Sequence, residues 1–275
     1  MAEPVASTAP PIERAAKEKR YRDFWADIGD GFPDLGGAAS TDLYLRDEQA
    51  LFEEFLPDLE GKTVFKTDLW DEARNTRILR WVAAQGASTF GIDISLPIVR
   101  RARQQYGIEG LRLGSVVSDV RTIPYRSDCF DALYSMGTVE HFEETAEALA
   151  EIHRVVKPGG RAIIGVPNRW DPFLRPILVA LLYFVGKYDY GFEKCYSRRE
   201  FAQMLQDAGF RVVGESGILF IPGWLRILDL ACHAWAPALT AVTAPAVGLF
   251  ARLSKRFPWL RRHGYLLATV VEKPR

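Results

Sequence analysis

"VVSDVRTIPYRSDCFDALYSMGTVEHF", residues 116–142, is the stretch whose reading decides the fold. It leaves one apolar run, over 112–117, and enters another, over 131–136. The second run opens on Phe130-Asp131 and ends at Gly137 before "VEHF". Runs this short, rich in Val, Leu and Tyr and bounded by Asp, Pro and Gly, read as buried strands. Five more such runs lie around them, at 63–68, 88–92, 161–166, 211–216 and 265–271. Helical spacing falls between most of them, at 75–86, 95–106, 144–156 and 198–208. Strand–helix alternation of this kind predicts a mostly parallel sheet with helices on both faces, because parallel strands need crossover connections. Ligands of such sheets bind at the C-terminal ends of the strands, where strand order reverses.

Outside the alternation, residues 11–28 and 43–57 read as helices, a cap on a domain that begins near residue 59. The start, "MAEPVASTAP", has no apolar h-region and reads as disordered. The 275 residues are 48% hydrophobic and 25% charged, which fits one large domain with insertions. Lys+Arg and Asp+Glu both number 35, so no global charge draws nucleic acid. Cys129, Cys195 and Cys232 are far apart and fit neither a metal site nor a disulfide framework. A reduced, cytoplasmic compartment is the expectation.

Several residues at the strand ends have ligand chemistry. Asp93 ends the second strand, where a carboxylate can accept from both hydroxyls of a ribose, or can serve only at a helix start. Asp119 ends the third strand and can accept from an adenine amino group, with Ile123 and Pro124 as walls of the ring. Pro158-Gly159-Gly160 reads as a tight turn from helix to fifth strand.

In order and spacing, Asp93, Ser118-Asp119, Pro124, Phe130-Asp131, Glu140-His141-Phe142 and Val155-Val156-Lys157-Pro158-Gly159-Gly160 resemble the class I S-adenosylmethionine-dependent methyltransferases. The likeness is to their small-molecule branch and covers about residues 60–215 plus the last strand. It implies an α/β, Rossmann-like sheet of seven strands, one of them antiparallel, here 264–272. It also implies S-adenosyl-L-methionine as cofactor. By the resemblance Asp93 and Ile94 hold the ribose, Ser118, Asp119 and Val120 flank the adenine, and Gly137 lies near the methionine end. His141 reads either as a general base or as a residue that shapes the pocket.

One motif departs from the family. The first strand should lead into a glycine-rich loop, yet "KTVFKTDLWDEARNT", residues 62–76, has no glycine, and none occurs between Gly61 and Gly86. Residues with a Cβ resist positive φ and keep a ligand off the backbone. Asp68, Asp71 and Glu72 stand there instead, beside Trp70. A carboxylate can take the cofactor's ammonium, and Trp70 can lie near a sulfonium. The acids can equally favour the start of the next helix, with Asn75 or Thr76 opening it. Retained cofactor binding is the expectation.

Two apolar segments complete the chain. "DPFLRPILVALLYFVGK", residues 171–187, is too short to span a bilayer. Residues 217–262 form a Pro-interrupted insertion, uncharged between Asp229 and Arg252 and then basic in "RLSKRFPWLRRHG". A pair of interfacial helices fits it better than a crossing, since the last strand must return to the sheet. Contact with an anionic membrane surface through 222–262 and a buried lid over the pocket are the alternatives. In "YGFEKCYSRRE", residues 190–200, Tyr190, Glu193 and Tyr196 are candidate substrate contacts, and Ser197 with Glu200 matches a capping box. The expected activity is methyl transfer to a small, hydrophobic or lipid-linked acceptor. The alternative is a non-catalytic methyltransferase-like protein acting at a membrane or on a partner.

Overall fold

A computed structural model describes residues 11–188, 191 and 193–275, with side chains from residue 19 onward. The expected disordered start falls outside these residues. Seven strands form one sheet in the order β3-β2-β1-β4-β5-β7-β6. They are β1 (Thr63–Lys66), β2 (Ser88–Asp93), β3 (Leu113–Val117), β4 (Phe130–Met136), β5 (Val156–Pro167), β6 (Arg211–Ile218) and β7 (Leu266–Glu272). β7 runs antiparallel to both of its neighbours, while the β1–β2, β1–β4, β2–β3 and β4–β5 pairs are parallel. Each strand falls where an apolar run predicted it. The order reverses between β1 and β4, which places the ligand crevice at the ends of β1, β2 and β4.

Helices cover both faces. On one lie α2 (Ala39–Phe55), α4 (Ile78–Ala84), α5 (Leu96–Ile108), α9 (Gly223–Trp235) and α10 (Thr240–Arg256). On the other lie α6 (Thr145–Val155) and α8 (Arg198–Asp207), packed on Phe65, Phe130 and Leu133. α1 (Pro11–Gly31), α3 (Trp70–Arg74) and α7 (Arg175–Phe184) border the crevice. Ser197 and Glu200 form the capping box that opens α8.

Two local expectations are corrected. The helix expected over 75–86 is α4 alone, preceded by the short α3, and neither Asn75 nor Thr76 opens it. Asn75 ends α3, and Arg77 precedes α4 with φ +58°. The break is held by Asp71, whose carbonyl accepts from both Asn75 N (2.9 Å) and Arg77 N (3.2 Å), and by Asp34 on the Arg77 guanidinium (2.6 Å). The Pro158-Gly159-Gly160 turn lies inside β5. Ladder bonds from Gly159 N to Lys273 O and from Lys273 N to Gly160 O continue through it, and Gly159 takes φ +78°.

The insertion after β6 folds as α9 and α10, joined by a 3₁₀ turn at Pro237–Leu239. Asp229, fully buried, fastens it to the N-terminal part of the chain. It accepts from Ser40 N and from Thr243 Oγ1, each at 2.8 Å, and so joins α2, α9 and α10. Asp47 of α2 accepts from Leu219 N at 2.8 Å, and burial raises its pKa to about 6. No helix among the described residues is long and apolar enough to cross a membrane.

Candidate functional site

At the reversal point a cavity of about 410 Å³ opens between the sheet edge and the helices α1, α7 and α9. Its floor comes from the loops after β1, β2 and β4. Asp68, Trp70, Asp93, Ile94, Ser118, Val120, Gly137 and His141 all line it. Ile123 and Pro124, expected as ring walls, do not. Ile123 is core, with its N–H on Glu151, and Pro124 is exposed.

Asp93 is buried at the end of β2. One carboxylate oxygen accepts from Leu69 N (2.9 Å) and the other from Ser95 N (2.8 Å). Burial raises its pKa to about 7 against the pull of these two N–H groups. Each oxygen keeps a further lone pair, enough for two ribose hydroxyls. Asp119 lies beyond the main cavity, in an adjoining hollow of about 240 Å³ that shares Ile94 and Ser118 with it. Its carboxylate is gripped by Arg121, with Nη2 at 2.6 Å and Nε at 3.0 Å.

The glycine-free loop is built around Lys66, whose side chain is fully buried. Nζ bonds Asp68 Oδ1 at 3.0 Å and Asp71 Oδ2 at 3.5 Å. Burial disfavours the ammonium, yet Asp68, Asp71, Glu72 and Glu48 together hold the Lys66 pKa above its ordinary value. Glu72 turns away from the cavity, onto Tyr106 Oη (2.7 Å) and Leu79 N (3.2 Å). Asp71 is bound by Asn75 Nδ2 at 2.7 Å. Asp68 reaches the cavity, bonded on its far oxygen by Thr138 Oγ1 at 2.9 Å. Burial raises its pKa against the pull of Lys66 and Thr138. Gly91 lets Leu69 lie against it, and a Cβ there would meet Leu69 Cδ2 at 2.5 Å.

Gly137 takes φ +75° at the end of β4. Glu140, 2% exposed, follows it, and its Oε2 has no partner among the described residues. Burial pushes its pKa well above the carboxylate range. His141 Nε2 lies 4.0 Å from Glu140 Oε1, and its ring packs on Trp25 of α1 at 5.1 Å. Tyr21 of the same helix packs on Phe142 at 5.1 Å. The sequence reading missed Tyr21 and Trp25, since nothing in α1 marks which turn meets the site.

The candidate substrate residues separate. Glu193 lines the cavity and pairs with buried Arg175, Nη2 to Oε2 at 2.9 Å. Despite burial, that guanidinium and Tyr188 keep its pKa below the usual value. Arg175 also stacks over Tyr265 at 4.0 Å. Tyr196 is not in the cavity. It is buried behind it, with Oη 3.1 Å from Thr145 Oγ1 and its ring on Phe201. Tyr190 falls outside the described residues. Arg175, Tyr188 and Arg226 were not expected at the site; α7 and α9 bring them there.

A seven-stranded sheet with one antiparallel strand, a carboxylate after β2 and a crevice at β1/β4 together define a nucleoside-binding Rossmann-like domain. Comparison with known proteins narrows this. Residues 59–164 match the family model described as "Methyltransferase domain". Over 163 residues the chain is 31% identical to a ubiquinone/menaquinone biosynthesis C-methyltransferase of Acidiphilium cryptum, covering 56% of this chain and 60% of that one. It is 31% identical to a malonyl-[acyl-carrier protein] O-methyltransferase of Salmonella typhimurium over 84 residues, 30% of this chain and 32% of that one. The matches thus span three fifths or less of these relatives. The fold is shared with an S-adenosylmethionine-dependent methyltransferase of Mesorhizobium loti, with TM-score 0.55 and 18% identity over 86% of this chain and 99% of that one. Residues 59–164 are thus similar to methyltransferase domains, and the fold is the one that class I S-adenosylmethionine-dependent methyltransferases share.

Proposed function

We propose that the protein transfers a methyl group from S-adenosylmethionine to a small acceptor with a hydrophobic or lipid-like part. The observation that carries this reading is the shared cavity: Asp68, Asp93 and Gly137 line it together with Leu178, Leu182 and Ile227 from the two apolar insertions. A polar nucleoside end and an apolar acceptor end thus meet in one space. The quinone relative and the acyl-carrier relative, named by their substrates, agree with an acceptor of this kind.

The residues present fit the cofactor. Asp93 would accept from the ribose, with Ile94, Ser118 and Val120 beside the base, and Asp119 at its edge. Asp68 would take the ammonium, a contact that a glycine loop would leave to the backbone. Trp70 and Gly137 border the same end. When bound, the cofactor supplies an electrophilic methyl on a sulfonium. The protein's own part is then placement and exclusion of water. α1 closes over His141, and α7 and α9 form an apolar wall. His141 borders the cavity and would be the candidate base for an acceptor proton. Glu193 and Arg175 give the acceptor side a fixed polar anchor. The outer face of 222–262 is the proposed membrane contact.

Methyl-labelled S-adenosylmethionine, incubated with the protein and a bacterial lipid extract, tests the reading. Label should pass into the organic phase, and not with Asp93→Ala. Label that stays on the cofactor while the cofactor binds would favour the non-catalytic alternative.

A further inference from the structure

α7, α9 and α10 carry an outward apolar surface that the cavity does not account for. Ile177, Leu181, Phe184, Trp224, Leu228 and Val242 are all at or above 47% exposed, with Phe184 at 89% and Val242 at 72%. α9 packs against both other helices, so the surface runs across all three. Scattered single apolar residues need no explanation, but a contiguous run of this size does. The surface also meets the cavity. Ile227 and Trp235 line the cavity and are themselves 47% and 74% exposed, so they stand at its mouth. On the inner side of the same helices, Leu178, Leu182 and Leu230 face the cavity.

The charge nearby is mostly basic, with Glu54 of α2, 3.8 Å from Arg261, as an acid at its border. Arg252, Lys255, Arg256 and Arg262 are exposed at the end of α10 and in the 3₁₀ turn Pro258–His263, and no Asp or Glu occurs from residue 230 to 271. Exposed Phe257 and Trp259 are interleaved with them. Aromatic and aliphatic side chains beside a predominantly basic cluster are what an anionic bilayer surface selects. A second protein would more commonly present both signs at its rim.

We infer that α7, α9 and α10 dock on an anionic bilayer, and that the mouth between α7 and α9 opens into the lipid, so the acceptor enters from the membrane. The route half rests on the methyltransferase reading; the docking half does not. Docking would bury Phe184 and Trp224 among acyl chains and set the basic cluster at the headgroups. The mouth at Ile227 and Trp235 would then face a source of apolar acceptor without exposing it to water.

Flotation of the full chain tests the docking. Vesicles with equal parts phosphatidylcholine and phosphatidylglycerol should carry the protein upward at low salt, and phosphatidylcholine alone much less. Arg252→Gln with Lys255→Gln and Arg256→Gln should lower partitioning by roughly a hundredfold. Phe184→Ser with Trp224→Ser should lower it at least about tenfold. Both variants should keep S-adenosylhomocysteine affinity, since none of these residues lines the cavity. Acyl chains brominated near the headgroup should quench tryptophan fluorescence, and Trp235→Phe should remove a measurable share of that quenching. A wild-type protein that stays at the bottom overturns the docking. So does a dimer in sedimentation that Phe184→Ser dissociates, which would make the face an interface between copies. Quenching unaffected by Trp235→Phe overturns the route alone. Flotation retained with no S-adenosylhomocysteine bound would sink the methyltransferase reading and leave the docking standing.

Discussion

All three carboxylates in the glycine-free loop are engaged by the fold. Glu72 holds Tyr106 and Leu79 N, and Asp71 holds Asn75 and the backbone break before α4. Asp68 and Asp71 both line the cavity, and Asp68, held there by Lys66 and Thr138, is the one proposed for the cofactor's ammonium. Asp68→Ala should therefore weaken S-adenosylhomocysteine binding about ten- to a hundredfold, the worth of a charge-assisted hydrogen bond, while Glu72→Ala should cost roughly 1–3 kcal/mol of stability by orphaning Tyr106. Titration calorimetry and thermal melts separate the two effects. Asp93 adds a pH dependence. Burial raises its pKa to about 7, above its unfolded value, so its contribution to stability is largest at acidic pH and is lost as pH rises through about 7. Ligand binding runs the other way, because ribose hydroxyls donate to the ionised form. Affinity should fall as pH drops through about 7, and Asp93→Asn should flatten that profile. Asp68 and Asp93 were legible in the sequence from their place after a strand. That Glu72 turns away from the cavity was not, because Tyr106 decides it from elsewhere in the chain.

At the scale of elements, the loop after β1 depends on Gly91 in the neighbouring strand. Gly91→Ala would set a methyl 2.5 Å from Leu69 Cδ2, and Leu69 N is the donor that holds Asp93. The substitution should lower stability by about 1–3 kcal/mol, as overpacking does, and weaken cofactor binding in the same sample. Ser197→Ala at the α8 capping box should cost about 1 kcal/mol and leave cofactor affinity unchanged. The box was readable because both partners lie three residues apart. All seven strands were readable from short apolar runs, most of them buried on both faces. The break at 75–77 between α3 and α4 was not. Its residues have helical spacing, and the break comes from Asp34 and the Asp71 carbonyl, one of them far away in sequence.

For the whole molecule, the N-terminal helices and the late insertion form one roof. Asp229 joins α2, α9 and α10 through Ser40 N and Thr243 Oγ1, both buried. Asp229→Ala leaves those two donors unmet and should cost roughly 2–4 kcal/mol, with faster proteolysis in α9–α10 than in the sheet. Composition announced an apolar insertion but not its partner, since the acid that anchors it meets residues nearly two hundred positions earlier. The substrate loop was half legible for the same reason. Glu193 reaches the cavity because Arg175 from α7 draws it there, while Tyr196, equally polar in sequence, turns into the core beside Phe201.

The central claim is that a methyltransferase-type site survives the loss of its glycine loop because Asp68 takes over the methionine end and Asp93 keeps the ribose. Titration calorimetry of the folded protein with S-adenosylhomocysteine tests it most directly. The account predicts saturable one-to-one binding that Asp93→Ala abolishes and Asp68→Ala weakens. No detectable heat at millimolar ligand, in a protein shown by circular dichroism to be folded, would contradict it.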